Sequence, residues 1–283
     1  MTVSQDKQKS FTALVLAGTR PKGDPLARAT GVAHKALVPL VGRPMLAHVV
    51  ATLLRSRSVN RVIVCGITAA EIDGGDLGRL LRSGELTISE SRPTPSASVN
   101  YVLQTTPNIL PLLITTADHP LLTPEIVDEF CHRAIENRHD AAFALVPADL
   151  VRRAFPDSSR TYLRFRERAY SGCNLFAILT DSGLEAPVWW TRIEEHRKRP
   201  WRIMSMLGIG VLLRFVFGQM SLASLEQNAS RKMRMNAGVI VMSQPEAGYD
   251  VDTVDHLKVA EAVLRSQSLN DPPMGNLAQS PLG

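Results

Sequence analysis

Aromatic residues are scarce, only 5% of 283 positions, and no stripe of Lys and Arg is interleaved with them. The chain therefore lacks the stacking-plus-phosphate pattern of a nucleic-acid binder, and no nucleic acid is expected among its partners. Cysteine is scarcer still. Cys65, Cys131 and Cys173 are odd in number and without CxxC spacing, which excludes an encoded disulfide framework or zinc knuckle and fits a reducing, cytoplasmic location. The opening MTVSQDKQKS is polar and is not expected to act as a signal peptide. Long apolar runs are missing except from Ile203 to Leu225, where the only charge is Arg214. A central Arg costs about 2.5–3.5 kcal/mol on insertion scales. Ser205, Gln219 and three glycines dilute the run further, so no membrane span is expected. Its ordinary reading is a buried helical pair around Gly218; the other is peripheral lipid contact through 203–225, as an interfacial helix or lid. Neither sign of charge dominates: 32 basic residues against 27 acidic ones leave +5, enough to help gather a polyanion such as a nucleotide.

What the chain does contain is alternation. Beta-branched and aliphatic runs take turns with helical patterns, which predicts repeated βαβ units: an α/β, Rossmann-like fold with a mostly parallel sheet flanked by helices. Ala13–Ala17 reads as a strand buried on both faces, followed by a loop to about Val38. Pro44 then opens a helix over Met45–Arg55. Further strands are expected at Arg61–Cys65, Thr87–Ser89, Leu110–Thr115 and Ala141–Val146. Helices are expected at Asp76–Arg82 and at Pro124–Ile135, the latter capped by Thr123, and Ser98 is expected to cap a helix running towards Leu103. The pattern changes at about Pro147. Thr161–Phe165 and Leu175–Leu179 read as strands flanking an arginine-rich turn, 187–230 as helical, Met235–Met242 as a returning strand and Val254–Leu264 as a closing helix. One domain over 11–266 is expected, with a helical insertion at about 150–235. Residues 1–10 and 267–283 are expected to be disordered tails.

The passage richest in chemistry is Leu16-Ala17-Gly18-Thr19-Arg20, followed by His34-Lys35-Ala36-Leu37-Val38-Pro39-Leu40-Val41-Gly42-Arg43-Pro44-Met45. A buried strand ending in Ala-Gly lets backbone N–H groups approach a ligand, and ligands of open α/β sheets bind just beyond the carboxyl ends of strands. Arg20 and Lys35, at the two ends of the intervening loop, could grip phosphates from both sides. These residues resemble the signature of the GT-A-like nucleotidyltransferases, the group of sugar-phosphate nucleotidyltransferases and MobA-like enzymes: Leu-Ala-Gly-Gly, Thr-Arg or Arg, a loop, then Lys-x-Leu-x-Pro-x-x-Gly-x-Pro-Met/Leu. Two further elements follow in family order. Thr116-Ala117-Asp118-His119-Pro120-Leu121 resembles the mid-chain strand-end acid, and Asp250-Val251-Asp252-Thr253-Val254-Asp255-His256-Leu257 resembles the closing Asp-x-Asp-Thr-Pro-Glu-Asp-Leu. The second glycine after Leu-Ala-Gly is missing, the loop holding Asp24-Pro25-Leu26 is lengthened, and Val254 replaces proline.

The resemblance implies a GT-A-like nucleotidyltransferase fold and a Mg²⁺-dependent (or Mn²⁺-dependent) transfer of an NMP group from an NTP to a small phosphorylated acceptor, releasing pyrophosphate. It gives Asp118 and Asp252 the metal, Arg20 the β- and γ-phosphates, and Lys35 the α-phosphate. Ala17, Gly18, Thr19 and Ser98 would contact the nucleotide. Gly172 and Asn174 match the strand that lines the acceptor side in relatives, so 150–235 becomes the acceptor-side subregion. The even spacing of Arg160, Arg164, Arg166 and Arg168 points them to one face of a strand, where they could meet acceptor phosphate. Asp255 reads as a helix-start charge, Cys173 as packing, and Trp189-Trp190 as an anchor for the insertion. Two other functions fit less well: a GT-A glycosyltransferase, whose mid-chain Asp-x-Asp is lacking in Asp118-His119-Pro120, and a degenerate non-catalytic nucleotide-binding module.

Overall fold

The computed structural model describes residues 10–19, 23–156, 160–196 and 199–270. The expected tail segments 1–9 and 271–283 lie outside them. In chain order the first half reads β1 (Phe11–Leu16), α1 (Pro25–Thr30), a hairpin of β2 (Pro39–Leu40) and β3 (Arg43–Pro44), α2 (Met45–Arg55), β4 (Val59–Cys65), α3 (Gly75–Ser83), β5 (Leu86–Ser89) and α4 (Pro95–Thr105). There follow β6 (Leu112–Thr116), α5 (Pro124–Glu136), β7 (Ala141–Pro147), α6 (Ala148–Ala154), and a hairpin of β8 (Leu163–Arg164) and β9 (Ala169–Ile178). The insertion comprises α7 (Ala186–Glu195), α8 (Pro200–Leu207), α9 (Ile209–Val216) and α10 (Leu222–Met233). The chain then returns through β10 (Ala237–Val241) and closes with α11 (Val254–Asn270).

The sheet order is β10-β7-β9-β6-β1-β4-β5, with β8 paired to β9. Among the described residues, β9 runs antiparallel to β6, β7 and β8, while the pairs β1–β4, β1–β6, β4–β5 and β10–β7 are parallel. This is the expected mostly parallel α/β sheet. The ALVL run of β1 lies centrally, and its alternate residues feed two different layers. Phe11, Ala13 and Val15 belong to the main core with α2 and α5, whereas Leu14 packs with Ile63, Ile114 and the α4 residues Val99 and Val102. Period-two alternation with both faces covered explains why the run carries no polar residue. Trp190 of α7 stacks on Phe176 of β9 at 4.7 Å between ring centres, and so anchors the insertion as expected.

Several local expectations are corrected. The loop after β1 contains α1, started by Asp24, whose carboxylate accepts from the Leu26 and Ala27 amides ahead of Pro25 at the first helical position. The cap of α4 is Thr94, which accepts from the Ala97 amide; Ser98 lies a turn inside the helix. Thr94-Pro95 repeats the Thr123-Pro124 signal that opens α5. β9 begins well before Leu175, and its pairing with β7 slips between Phe143 and Leu145, a bulge beside which Asn174 takes φ 49°. The arginine run does not share one strand face, because β8 is only two residues long. The closing helix continues through Asn270, so residues 267–270 of the expected tail are helical. Finally, the apolar stretch does form a helical pair, but it breaks at Gly208 (φ 127°) as well as at Gly218 (φ 66°), and much of α9 is exposed. Among the described residues no helix is long and apolar enough to cross a membrane.

Candidate active site

Parallel strands deliver their carboxyl ends to one edge of the sheet, and this edge collects Lys35, Asp118, Asp250 and Asp252. Asp118 follows β6. Its Oδ1 accepts from Thr116 Oγ1 at 2.6 Å, which fixes the carboxylate's orientation, and its carbonyl accepts from the Val251 amide at 2.8 Å. That backbone bond ties the loop after β10 to the end of β6 and brings Asp250 and Asp252 alongside. Two residues apart, these acids bring their carboxylates together while Val251 between them is buried in the core. Carboxylate oxygens of Asp118, Asp250 and Asp252 lie within 4.8 Å of one another.

Lys35 reaches this group from a single 3₁₀ turn, Lys35–Leu37. Its position is set on both sides. His34 accepts the Ala36 amide at Nδ1 (3.1 Å), which leaves Nε2 to donate to the Gly66 carbonyl (3.1 Å), moored to β4. After the turn, the β2–β3 hairpin closes through Val41 and Gly42, both at positive φ, the requirement of a tight type I′ turn. Lys35 Nζ donates to Asp118 Oδ2 and to Asp252 Oδ1, both at 2.6 Å. Burial alone would lower the Lys35 pKa, but Asp118 and Asp252 more than reverse this and hold it above its ordinary value of 10.5. The lysine is therefore a fixed cation between two carboxylates 134 positions apart in sequence.

Asp250 has a separate counter-charge. Arg160, with its side chain only 8% exposed, pairs with Asp250 Oδ1 at 2.5 Å and also donates to the Asp250 carbonyl at 3.0 Å. Its guanidinium lies 5.0 Å from the centre of the Tyr249 ring. The even-spacing argument thus misplaced Arg160: it is a buried partner of an acid rather than one of four arginines on a face. Sequence reasoning left Asp250 out of the metal set, although its i, i+2 spacing to Asp252 was the available signal. Arg160 had none, since only the fold brings β8's approach against the loop after β10.

Among the remaining candidates, Ala17 and Gly18 continue from β1, with the Ala17 amide donating to the Cys65 carbonyl at 2.8 Å. A Cβ added at Gly18 would meet nothing within 4 Å among the described residues. Gly66 is different. At φ 102°, its added Cβ would lie 2.8 Å from the Gly18 backbone, so glycine lets the ends of β1 and β4 close up. Thr19 is exposed, and Arg20 lies outside the described residues. The Ser98 hydroxyl accepts from the Arg92 amide (2.8 Å) and faces the Thr94 carbonyl (3.0 Å), holding the turn before α4. Gly172 is exposed on β9, and Asn174 sits at the bulge. Arg168 is not brought to the acids; it faces Asp149 of α6 at 3.9 Å. Asp255, in the first turn of α11, pairs with Lys258, as a helix-start charge should. The three cysteines are free and buried, and burial pushes the Cys131 and Cys173 thiols upward, away from use as nucleophiles.

The donor set is a suitable one for a hard divalent ion: three carboxylates with oxygens close together, partly accessible, and already organised around a positive charge. The model of the MobA-like NTP transferase domain matches residues 13–197. No curated protein matches the sequence. Among solved structures, a hypothetical transferase from Thermus thermophilus is 30% identical at a TM-score of 0.70, covering 88% of this chain and 99% of its own. A CMP:2-keto-3-deoxy-manno-octonic acid synthetase complexed with CTP is similar in fold at 15% identity and a TM-score of 0.52, covering 91% of this chain and 98% of that one. So is a 4-diphosphocytidyl-2C-methyl-D-erythritol synthase from Anaerococcus prevotii, at 11% and 0.52, covering 91% and 97%.

Proposed function

Since the chain belongs to the family of MobA-like NTP transferase domains and is a nucleotidyltransferase by class, we propose that it transfers an NMP group from an NTP to a small phosphorylated acceptor, with one domain over 11–266 carrying the reaction. The observation that carries this reading is the convergence of Lys35, Asp118 and Asp252, three residues from separate sequence elements, in one hydrogen-bonded cluster at the carboxyl edge of the sheet. In the proposed step an ionised acceptor oxygen attacks the α-phosphorus, the bond to the bridging α–β oxygen breaks, and pyrophosphate leaves with that electron pair. No general base is needed, because a phosphate monoester is already ionised at neutral pH. A Mg²⁺ or Mn²⁺ ion held by Asp118 and Asp252, with Asp250 beside them, would act as a Lewis acid that offsets the repulsion between two anions.

The chain's own residues do the rest. Lys35, already held as a cation, balances charge that moves onto the α-phosphate as the transition state forms. Thr116 keeps the Asp118 carboxylate turned towards it. Arg20 is assigned the β- and γ-phosphates, for which a forked guanidinium is well shaped. The backbone of Ala17, Gly18 and Thr19 borders the nucleotide, and a ligand's close approach is supported by Gly18, where an added Cβ meets no described residue within 4 Å. Ser98 acts on the nucleotide through the turn it holds rather than by a free hydroxyl. We assign Gly172, Asn174 and Arg168 to the acceptor side. A cytoplasmic setting suits three free, buried cysteines. The test is pyrophosphate release from each of four NTPs against pooled phosphorylated metabolites, with and without Mg²⁺. Release that requires one NTP, an acceptor and the metal, and that disappears in Asp118→Ala, is the expected result; equal release by Asp118→Ala and Asp252→Ala refutes it.

A further inference from the structure

The insertion departs from the rest of the molecule in two independent ways. The first is apolar exposure. Ile209, Leu213 and Val216 occupy positions i, i+4 and i+7 of α9, hence one face, and are 71%, 50% and 63% exposed. Phe217 at the end of the helix is 72% exposed and Trp201 on α8 is 51% exposed. The opposite side of α9 is satisfied: Val211 is buried and Phe215 partly so, in a cluster with Leu145 and Tyr170 of the sheet. The exposed residues are therefore a surplus beyond what holds the helix down.

The second is charge. From His196 to Leu225 the sequence has no acid at all, and from His196 to Arg234 it has eight basic residues against Glu226 alone. That segment carries +7 of a chain whose total is +5, so everything else sums to −2. Glu226 is itself engaged, accepting the Val239 amide at 2.7 Å. Exposed Arg199, Arg202 and Arg214 lie within the apolar helices or directly before them.

We propose that α8 and α9 form a docking surface for an anionic lipid bilayer, with Trp201, Leu213 and Phe217 entering the headgroup boundary and the arginines meeting acidic headgroups. Apolar residues with Trp and Phe on one side and Arg around them are the composition of an interfacial helix. Each basic residue close to an anionic leaflet adds about fivefold to partitioning. A second copy of the chain is the poorer occupant: a two-fold interface would set the same patch against itself, like charge on like. The insertion packs on Leu145, Tyr170 and Val241, near the carboxyl ends of β7 and β10 and the start of β9, so a docked bilayer would lie towards the edge of the sheet that bears the acids. This proposal is independent of nucleotidyl transfer, which proceeds or fails in buffer without lipid.

The test is co-sedimentation of the full chain with phosphatidylcholine vesicles, with and without phosphatidylglycerol, at low and high salt. Expected are binding that requires phosphatidylglycerol, that weakens with salt, and that drops about tenfold or more in Phe217→Glu and in Arg202→Glu. A blue shift of tryptophan emission on binding, absent in Trp201→Phe, would place the contact on α8. Should Phe217→Glu fail to fold, Phe217→Ser gives the same reading without an added charge. Absence of binding overturns the proposal, as does binding indifferent to phosphatidylglycerol or to Phe217. A concentration-dependent dimer that Phe217→Ser dissociates, without vesicle binding, overturns it in favour of self-association.

Discussion

At the carboxyl edge of the sheet, Lys35 answers Asp118 and Asp252, and Arg160 answers Asp250. From His196 to Arg234, eight basic residues share one acid, and that acid accepts from a backbone amide. The two regions solve opposite problems. At the carboxyl edge the Lys35 and Arg160 side chains are largely buried and have to be matched inside the chain, because an unmatched buried charge costs several kcal/mol. On α8 and α9, the described arginines and much apolar area face solvent, where neither needs an internal partner. A region whose interactions close on themselves reports on the chain's own chemistry; one whose interactions stay open reports on what the chain meets.

The largest expected effect breaks the cleft side of this contrast. Asp118→Ala should reduce pyrophosphate release by about a thousandfold or more, with the circular dichroism spectrum retained, because it removes a carboxylate proposed to hold the divalent ion. Next comes Arg160→Met, which leaves Asp250 in its partly buried place without its counter-charge. A loss of about 2–4 kcal/mol in urea unfolding is expected. If Arg160→Met together with Asp250→Asn recovers none of it, the pair is not coupled and the matching argument fails for that half of the site.

Lys35 sharpens the same contrast through pH. Its pKa is raised on folding, so its contribution to stability is fully present below the unfolded value of about 10.4 and is lost as pH rises through the higher folded value. The stability difference between wild type and Lys35→Met, about 1–3 kcal/mol at pH 7, should therefore hold from neutral pH upwards and begin to shrink above pH 10.5. In the same variant Mg²⁺ should raise the melting temperature more than in wild type, since the carboxylates have lost their internal cation. A difference that closes near neutral pH would contradict the ion-pair assignment. The smallest effect belongs to the insertion: Phe217→Ser should change stability in buffer by less than about 0.5 kcal/mol and leave nucleotide turnover without lipid unaltered. A cost comparable to a core truncation would show the exposed face to be packing after all, and the contrast would dissolve.

Much of the cleft was legible before any coordinates. Asp118 and Asp252 stood just past strands, and strand ends of a parallel sheet share an edge, while Lys35 was marked by the loop after β1 and by the family resemblance; a common edge was readable, though not which charges would pair. Thr123 and α5 were legible because a cap is a contact over three residues. Ser98 went wrong for a related reason: two hydroxyls, Thr94 and Ser98, competed for one cap, and Pro95 decides for Thr94 because proline fits the first helical position. Arg160 was not legible, since its partner lies 90 positions away and neither residue's neighbours announce the other. Nor was the exposure of α9, because hydrophobicity along a sequence reports what a segment would rather cover, without saying whether anything covers it.

By itself, then, the sequence determined what depends on short range and on period: a strand buried on both faces, capped helices, a parallel sheet, and the kinds of charge placed at its carboxyl edge. The tertiary structure alone decided which charges meet. It gave Lys35 two acids and Arg160 a third, and it set α9 down on one face only. Pairings across many tens of residues cannot be read from local order, because they exist only once packing has brought separate strand ends within the few ångströms over which a buried charge must find its opposite.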